Sequence, residues 1–338
     1  MLIGLCAVAL LALAPLWPSP KSALEQALAG APGPERAVLD RVKRALDAPP
    51  VNARIDPVWK LIPELNGAVL DIPATMRHWD GLNTRMVFSQ TTPRTVMADL
   101  VAAPIYRGNP GKREMSLMFN VAWGTEFVMR IVSILREHHV TGTFFLDGSW
   151  TKANPGVARA IVAAGMEVGS HAYNHPMMSR LSRSQMIFQM ERTNSAITAA
   201  TGKNVTLFAP PAGDFNPLVV RVAAGMNMKT VLWTLDTVDW RRPAPSVIVH
   251  RIVSRGTPGA LVLMHPTAPT VAALPVMIRQ LRQAGYRLVT VSQLLSPVRP
   301  TPATLDEALT AAGLRRDMAS GIVERGRDLR PAGMPAKT

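Results

Sequence analysis

Two histidines four residues apart, His171 and His175, sit in Gly169-Ser170-His171-Ala172-Tyr173-Asn174-His175-Pro176, directly after a short apolar run. Imidazoles at that spacing on one turn can present two nitrogens to a single ion, and neutral imidazole suits zinc, cobalt or nickel. A loop with two chance histidines is the plainer reading, and the place of the pair at the end of a buried strand weighs against it. Met264-His265-Pro266 ends another apolar run. A histidine there could protonate a leaving amine or make a structural hydrogen bond. Trp233-Thr-Leu-Asp236-Thr-Val-Asp239-Trp240 supplies two carboxylates. A buried Asp beside His265 would orient it and raise its pKa; alternatively both carboxylates cap the following loop. In Phe208-Ala209-Pro-Pro211-Ala212-Gly213 the Pro-Pro and Gly fix the backbone, so its N–H groups could face a developing oxyanion, or the segment is a rigid turn and nothing more.

These groups need elements that bring them together. From residue 115 onward, short apolar runs alternate with helical periodicity. The strand candidates are 116–121, 142–147, 166–170, 206–209, 229–233, 260–264 and 287–291, and helices are expected over 126–139, 154–164, 182–201, 215–225, 246–255 and 270–284. Ser182-x-x-Gln185 opens the third of these as a capping box and Gly202 closes it. Strands alternating with helices imply a parallel sheet or barrel, in which functional groups gather at strand C-terminal ends. Every polar motif above stands at such an end.

The chain has 338 residues, 48% hydrophobic and 18% charged, enough for one large domain with a smaller one and against global disorder. Five segments follow: 1–20, a signal peptide or membrane anchor; 21–50, a linker with one helix near 35–46; 51–105, a small α/β unit in which VWKLIPELNG ends on a helix-capping Gly67 and AVLDI and MVFSQ are strands; 106–296, the main domain; and 297–338, a basic tail outside the core with one helix over 304–312. The run Leu2–Trp17 has the length of a signal-peptide apolar region, although no Lys or Arg precedes it. Export to the cell wall or membrane is the expectation. Cys6 is the single cysteine, so no intrachain disulfide forms. The net charge of +14 suggests an anionic partner or dispersed solvated surface. With no nucleic-acid-binding motif and only 5% aromatics, nucleic acid is not expected.

The ordered series FNVAWG, HxxxH, FxPPxG, DxxDW and LMH, each behind a strand, resembles the NodB-type polysaccharide deacetylases, carbohydrate esterase family 4, over roughly residues 112–296. VWKLIPELNG, PIYRGNP and FNVAWGTE resemble a sporulation-associated bacterial subgroup of that family. The resemblance implies an α/β fold, a distorted (β/α) barrel, and a hydrolase that removes N-acetyl groups from amino-sugar polymers such as peptidoglycan. It implies one divalent metal, zinc or similar, held by one Asp and two His, a second Asp as base steadied by an Arg, a His as acid and an Asp that tunes it. His171 and His175 fit the metal histidines, His265 the acid, Asp239 its tuner, and Ala212 the backbone donor for the oxyanion, with Pro211 and Trp240 beside the substrate.

Three positions depart from the pattern: Asn120 stands for the base, Val121 for the metal Asp and Ala209 for the Arg. The losses are mutually consistent, because an Arg without its carboxylate would be a buried unpaired cation. Two metal ligands remain where catalytic zinc takes three. Asp147 is the first candidate for a recruited third ligand, against the plainer reading of a turn residue before Gly148; Glu126 and Asp214 are further candidates. Two functions therefore stand side by side: a deacetylase with a modified site, and a catalytically inactive glycan-binding protein on the same fold.

Overall fold

The computed structural model describes residues 33–314, so the apolar run at 2–17 and most of the basic tail lie outside the described residues. Among the described residues no helix is long and apolar enough to cross a membrane.

The larger of two compact units comprises 48–68 and 90–301. Its frame is an eight-stranded sheet whose ladders are parallel. The strands are β1 (Glu114–Val121), β2 (Thr143–Leu146), β3 (Glu167–Ser170), β4 (Leu207–Phe208), β5 (Lys229–Thr230), β6 (Leu235–Asp236), β7 (Leu261–Met264) and β8 (Arg287–Leu288). Their spatial order is β6-β7-β1-β2-β3-β4-β5, with β8 pairing the start of β1. The intervening helices are α1 (Thr125–Glu137), α2 (Gly148–Ala153), α3 (Pro155–Ala163), α4 (Arg183–Thr201), α5 (Pro217–Gly225), α6 (Pro245–Val253), α7 (Ala268–Gln283) and α8 (Val291–Leu295). This is the distorted (β/α) barrel that the resemblance implies.

All eight residues of β1 are buried, which is why its sequence is almost continuously apolar. Met115, Leu117, Phe119 and Val121 pack into the layer between sheet and helices. Met118 faces the opposite way, into the barrel core with Phe145 and Leu207. Phe119 stacks on Phe144 of β2 at 4.8 Å. At the bottom of the barrel the buried Lys112 donates to the carbonyls of Gln293 and Ser296 (2.8 and 2.9 Å) and pairs with Glu114 at 3.3 Å. Burial pushes that ammonium pKa down and the Glu114 charge opposes the shift.

The sequence expectations hold for the long elements and fail at short ones. Ser182 and Gln185 form the capping box of α4, and Gly202 ends it at φ 70°. The expected strand 229–233 stops at Thr230; Leu232 N–H instead bonds the carbonyl of Ile105, and the chain pairs again only at β6. The DxxDW motif therefore begins at Asp236, the last residue of β6. The expected strand 287–291 gives way after Leu288, because Thr290 and Gln293 form a capping box that starts α8. In VWKLIPELNG no helix forms: Lys60–Ile62 pairs antiparallel with Arg54–Asp56. Gly67 opens the strand Gly67–Leu70, where a Cβ would stand 2.8 Å from the Ala48 carbonyl and the Pro50 nitrogen.

The smaller unit is discontinuous in sequence, with described parts 33–47, 69–89 and 302–314. Segment 51–105 is thus divided between two units rather than forming one of its own. The helices Pro34–Leu46 and Leu305–Ala311 meet over Leu39, Val42, Leu305, Ala308 and Leu309. The expectation that residues beyond 297 stay out of a core is corrected at this helix, which completes a core that no contiguous stretch supplies.

One glycine couples the two ends of the site. Gly124, at φ 73°, caps α1, and a Cβ there would drive into the carbonyl of Pro266, the residue after His265. We expect Gly124→Ala to lower stability by about 2–4 kcal/mol, read as a shift of the urea midpoint, through left-handed strain plus displacement of the Pro266 turn.

Candidate functional site

A cleft of about 320 Å³ opens at the C-terminal ends of the strands, and its walls include Asn120, Trp123, His171, His175, Ala212, Trp240 and His265. The parallel register gathers them. Asn120 and Val121 at the end of β1 lie level with Phe145 and Leu146 of β2, and Leu146 lies level with Ser170, the residue before His171.

His265 is held by Asp239. Its Nδ1 stands 2.7 Å from Asp239 Oδ1, and its backbone N–H donates to Oδ2 at 2.6 Å. The Thr270 hydroxyl donates to the same Oδ2 at 2.6 Å. The carboxylate is fully buried, so it must be paired, and these three donors satisfy it. A carboxylate at Nδ1 leaves Nε2 of this cleft-lining imidazole as the nitrogen available to a ligand. The indole of Trp123 lies parallel to the His265 ring, 6° between planes and 5.9 Å between centroids.

His171 is buried and His175 exposed, with ring centroids 5.2 Å apart. His171 Nδ1 lies 2.7 Å from the Ala209 carbonyl. A carbonyl only accepts, so Nδ1 carries the proton and Nε2 keeps its lone pair. Burial first, with the like charges of His175 and His265 adding to it, pushes the His171 pKa down to about 3; the Ala209 carbonyl opposes the shift. This imidazole is neutral throughout the physiological range. The two histidines lie on a loop with left-handed residues at Ala172 and His175 (φ 59° and 55°) rather than on a helical turn. Gly148 N–H and Ser149 N–H pin that loop through the carbonyls of Ala172 and Tyr173.

The residues present do not fit a three-ligand divalent metal. His171 offers one prepared nitrogen and His175 a second. Val121, where the resemblance would put the metal carboxylate, is fully buried among apolar side chains. Asp147 caps α2, its Oδ1 accepting from Trp150 N–H at 3.0 Å and from the Ser149 hydroxyl at 2.6 Å, while its buried Oδ2 has no protein partner and the residue does not line the cleft. Burial raises its pKa, and those hydrogen bonds oppose the rise. Asp214 accepts from Ser179 N–H and Oγ at 2.7 and 2.8 Å, and Glu126 is exposed in the first turn of α1. Asp236 lines the cleft, with Oδ1 taken by Val238 N–H at 2.7 Å. Among the described residues no three His, Cys, Asp or Glu side chains are grouped to hold a metal ion.

Pro211 is buried and does not line the cleft; with Pro210 it shapes the turn that exposes Ala212. Ala212 (φ 54°) and Val238 (φ 54°), the latter just before Asp239, are left-handed. For a β-branched residue that conformation is a genuine outlier, and such strain persists where surrounding structure over-determines it. The cleft thus assembles His171, His175, His265, Asn120, Ala212 and Trp240, with Asp239 buried behind His265, and leaves out Asp147. Trp123 and Trp233 also line the cleft, and the motif pattern alone assigns them no role. The sequence signal for Trp123 is an indole two residues past the end of a largely apolar strand.

A family model for polysaccharide deacetylase matches residues 107–231. The chain is 42% identical to the uncharacterized protein YlxY of Bacillus subtilis over 74% of its own length and 80% of that protein. It is 40% identical to BA3943 of Bacillus anthracis, described as a CE4 family pseudoenzyme, with a TM-score of 0.75 over 79% of this chain and 96% of that one. A BA3943 mutant, 39% identical to this chain at a TM-score of 0.74, is described as having restored enzymatic activity. The peptidoglycan-N-acetylglucosamine deacetylase PgdA of Listeria monocytogenes is 28% identical over 62% of this chain, which spans 44% of that longer protein. The chain belongs to the polysaccharide deacetylase family, carbohydrate esterase family 4, whose hydrolases cut carbon–nitrogen amide bonds.

Two outcomes follow from the site. His171 has a folded pKa near 3 against an ordinary value of 6.5. The folded state therefore binds fewer protons than the unfolded chain between those values. Its contribution is complete above pH 6.5 and declines as pH falls toward 3. Urea unfolding at pH 7 and pH 4.5 should differ by about 2–3 kcal/mol more in the wild type than in His171→Asn. Asp147→Ala should cost about 1 kcal/mol as a lost helix cap, whereas Asp147→Asn, which still accepts, should cost a few tenths at most; equal losses would remove the capping role.

Proposed function

We propose that this chain is a catalytically inactive deacetylase relative that holds N-acetylated amino-sugar units of peptidoglycan in its cleft. The observation that carries this reading is the end of β1, where Asn120 and Val121 leave two imidazoles with no third metal ligand. What a sugar would use is retained. Trp123, Trp233 and Trp240 frame the cleft, and aromatic faces give large contact area with a polar edge. The buried Asn120 brings an amide whose Oδ1 has no protein partner. An acceptor in that state is costly unless something donates to it, and an acetamido N–H suits it. The apolar run at 2–17 and the charge of +14 support the further proposal that the protein is exported to the wall, where an anionic polymer surrounds it. The Listeria relative's name carries peptidoglycan as its substrate, and BA3943 supplies the precedent of a pseudoenzyme.

A second reading rests on the His265–Asp239 pair, whose hydrogen bonds are complete. It is slow amide hydrolysis with His265 as general acid and no carboxylate base, at a rate on the order of 10²–10⁴ below that of a complete site.

The discriminating measurement is metal content of the purified protein after zinc loading and dialysis, beside acetate release from peptidoglycan. We expect far less than one zinc per chain and no acetate above the His265→Ala background. About one zinc per chain, lost in His171→Ala/His175→Ala, would overturn the reading. Asn120→Asp/Val121→Asp/Ala209→Arg should bind zinc and release acetate at least about 10²-fold faster than the parent.

A further inference from the structure

Beside the cleft lies a second groove of about 380 Å³ that the deacetylase motifs do not account for. It is walled by α2, α3 and α4, floored in part by Ala196, Ala199 and Ala200, and carries Lys152, Arg159 and Arg192 with no acid among its lining. Tyr173 closes one side. That residue lies midway between His171 and His175, so one loop separates the groove from the cleft and forms a wall of both.

Arg192 is the organised member. Its guanidinium lies 4.0 Å from the ring centre of Tyr173 and 5.5 Å from that of Phe188. Two aromatic contacts hold the planar group. No hydrogen bond or ion pair to a protein group uses its donors, and neither Lys152 nor Arg159 forms an ion pair among the described residues. Arg159 spends its Nε on the Ala200 carbonyl at 3.3 Å. Three cations converge on a concave surface without a carboxylate, and the most constrained is the side chain suited to bidentate recognition of an oxyanion.

We propose that this groove is a carboxylate-reading subsite for the peptidoglycan strand that occupies the cleft, with Arg192 as the fork and Lys152 and Arg159 as supporting charge. The proposal rests on the cleft being a glycan site. Continuity across the Tyr173 loop favours carboxylates carried by the same strand, on muramic acid and its stem peptide, over a separate phosphate polymer.

The test measures binding of the full chain to two probes by calorimetry at low and high salt. The probes are a neutral N-acetylglucosamine oligomer and a muramyl-containing peptidoglycan fragment with free carboxylates. We expect the wild type to bind both, the carboxylated fragment more tightly and with stronger salt dependence. Arg192→Glu, and separately Lys152→Glu on a different helix in case the first variant disturbs α4, should weaken the carboxylated fragment about tenfold or more and leave the neutral oligomer unchanged. Equal wild-type affinity for the two probes, with neither variant altering it, overturns the subsite and leaves the cleft reading standing. Binding of the carboxylated fragment alone, sensitive to Arg192→Glu, sinks the cleft reading and with it the proposal of one strand shared by cleft and groove. Binding of neither probe overturns both, and binding confined to a wall phosphate polymer assigns the groove to a different ligand and overturns the proposal.

Discussion

Strand β1 is the constraint on which the rest depends. It is hydrogen-bonded to β7 on one side and to β2 on the other, and β8 adds to its first residues. Each of its residues is buried, so it cannot slide by one position without sending Met118 and Asn120 into the helix layer and Phe119 and Val121 into the barrel. That fixed register puts Asn120 at the cleft and sets β2, and through it the His171 loop, level with it. The substitution of two carboxylates by Asn and Val is tolerated because the register is carried by apolar packing and backbone ladders. Neither depends on the chemistry at the strand's end.

Losing a metal carboxylate would leave a hole or an unpaired charge in most sites. Here Val121 joins the apolar layer, and His171 is held by the backbone carbonyl of Ala209 rather than by any ion. The His265–Asp239–Thr270 cluster is likewise complete in the protein alone. The cleft therefore keeps its shape through hydrogen bonds and a set of left-handed residues, Ala172, His175, Ala212 and Val238. The local cost of that backbone is offset by the packing beneath it. Trp123, stacked on His265, extends this preorganisation to the rim.

The long elements were legible in the sequence because each carries its own signal: the apolar run of β1, and the capping box and terminal glycine of α4. The ordering of the motifs was legible too, and with it the family and the identity of His171, His175, Asp239 and His265. The departures at Asn120, Val121 and Ala209 are plain in the sequence, since a missing carboxylate is visible without coordinates.

Other features were decided only in three dimensions. The two-residue ladders β5 and β6 exist because neighbouring strands and Ile105 offer partners, and no periodicity can show in so few residues. The smaller unit joins 33–47, 69–89 and 302–314, since burial rewards any segments that meet, however far apart along the chain. Asp147 stands at a strand end as a ligand would, yet Trp150 N–H and the Ser149 hydroxyl of α2 engage its Oδ1. The sequence by itself determined which chemical groups the protein owns and in what order. The tertiary structure decided which of them face the same space, because direction and distance depend on register and loop backbone, which side-chain identity does not encode locally.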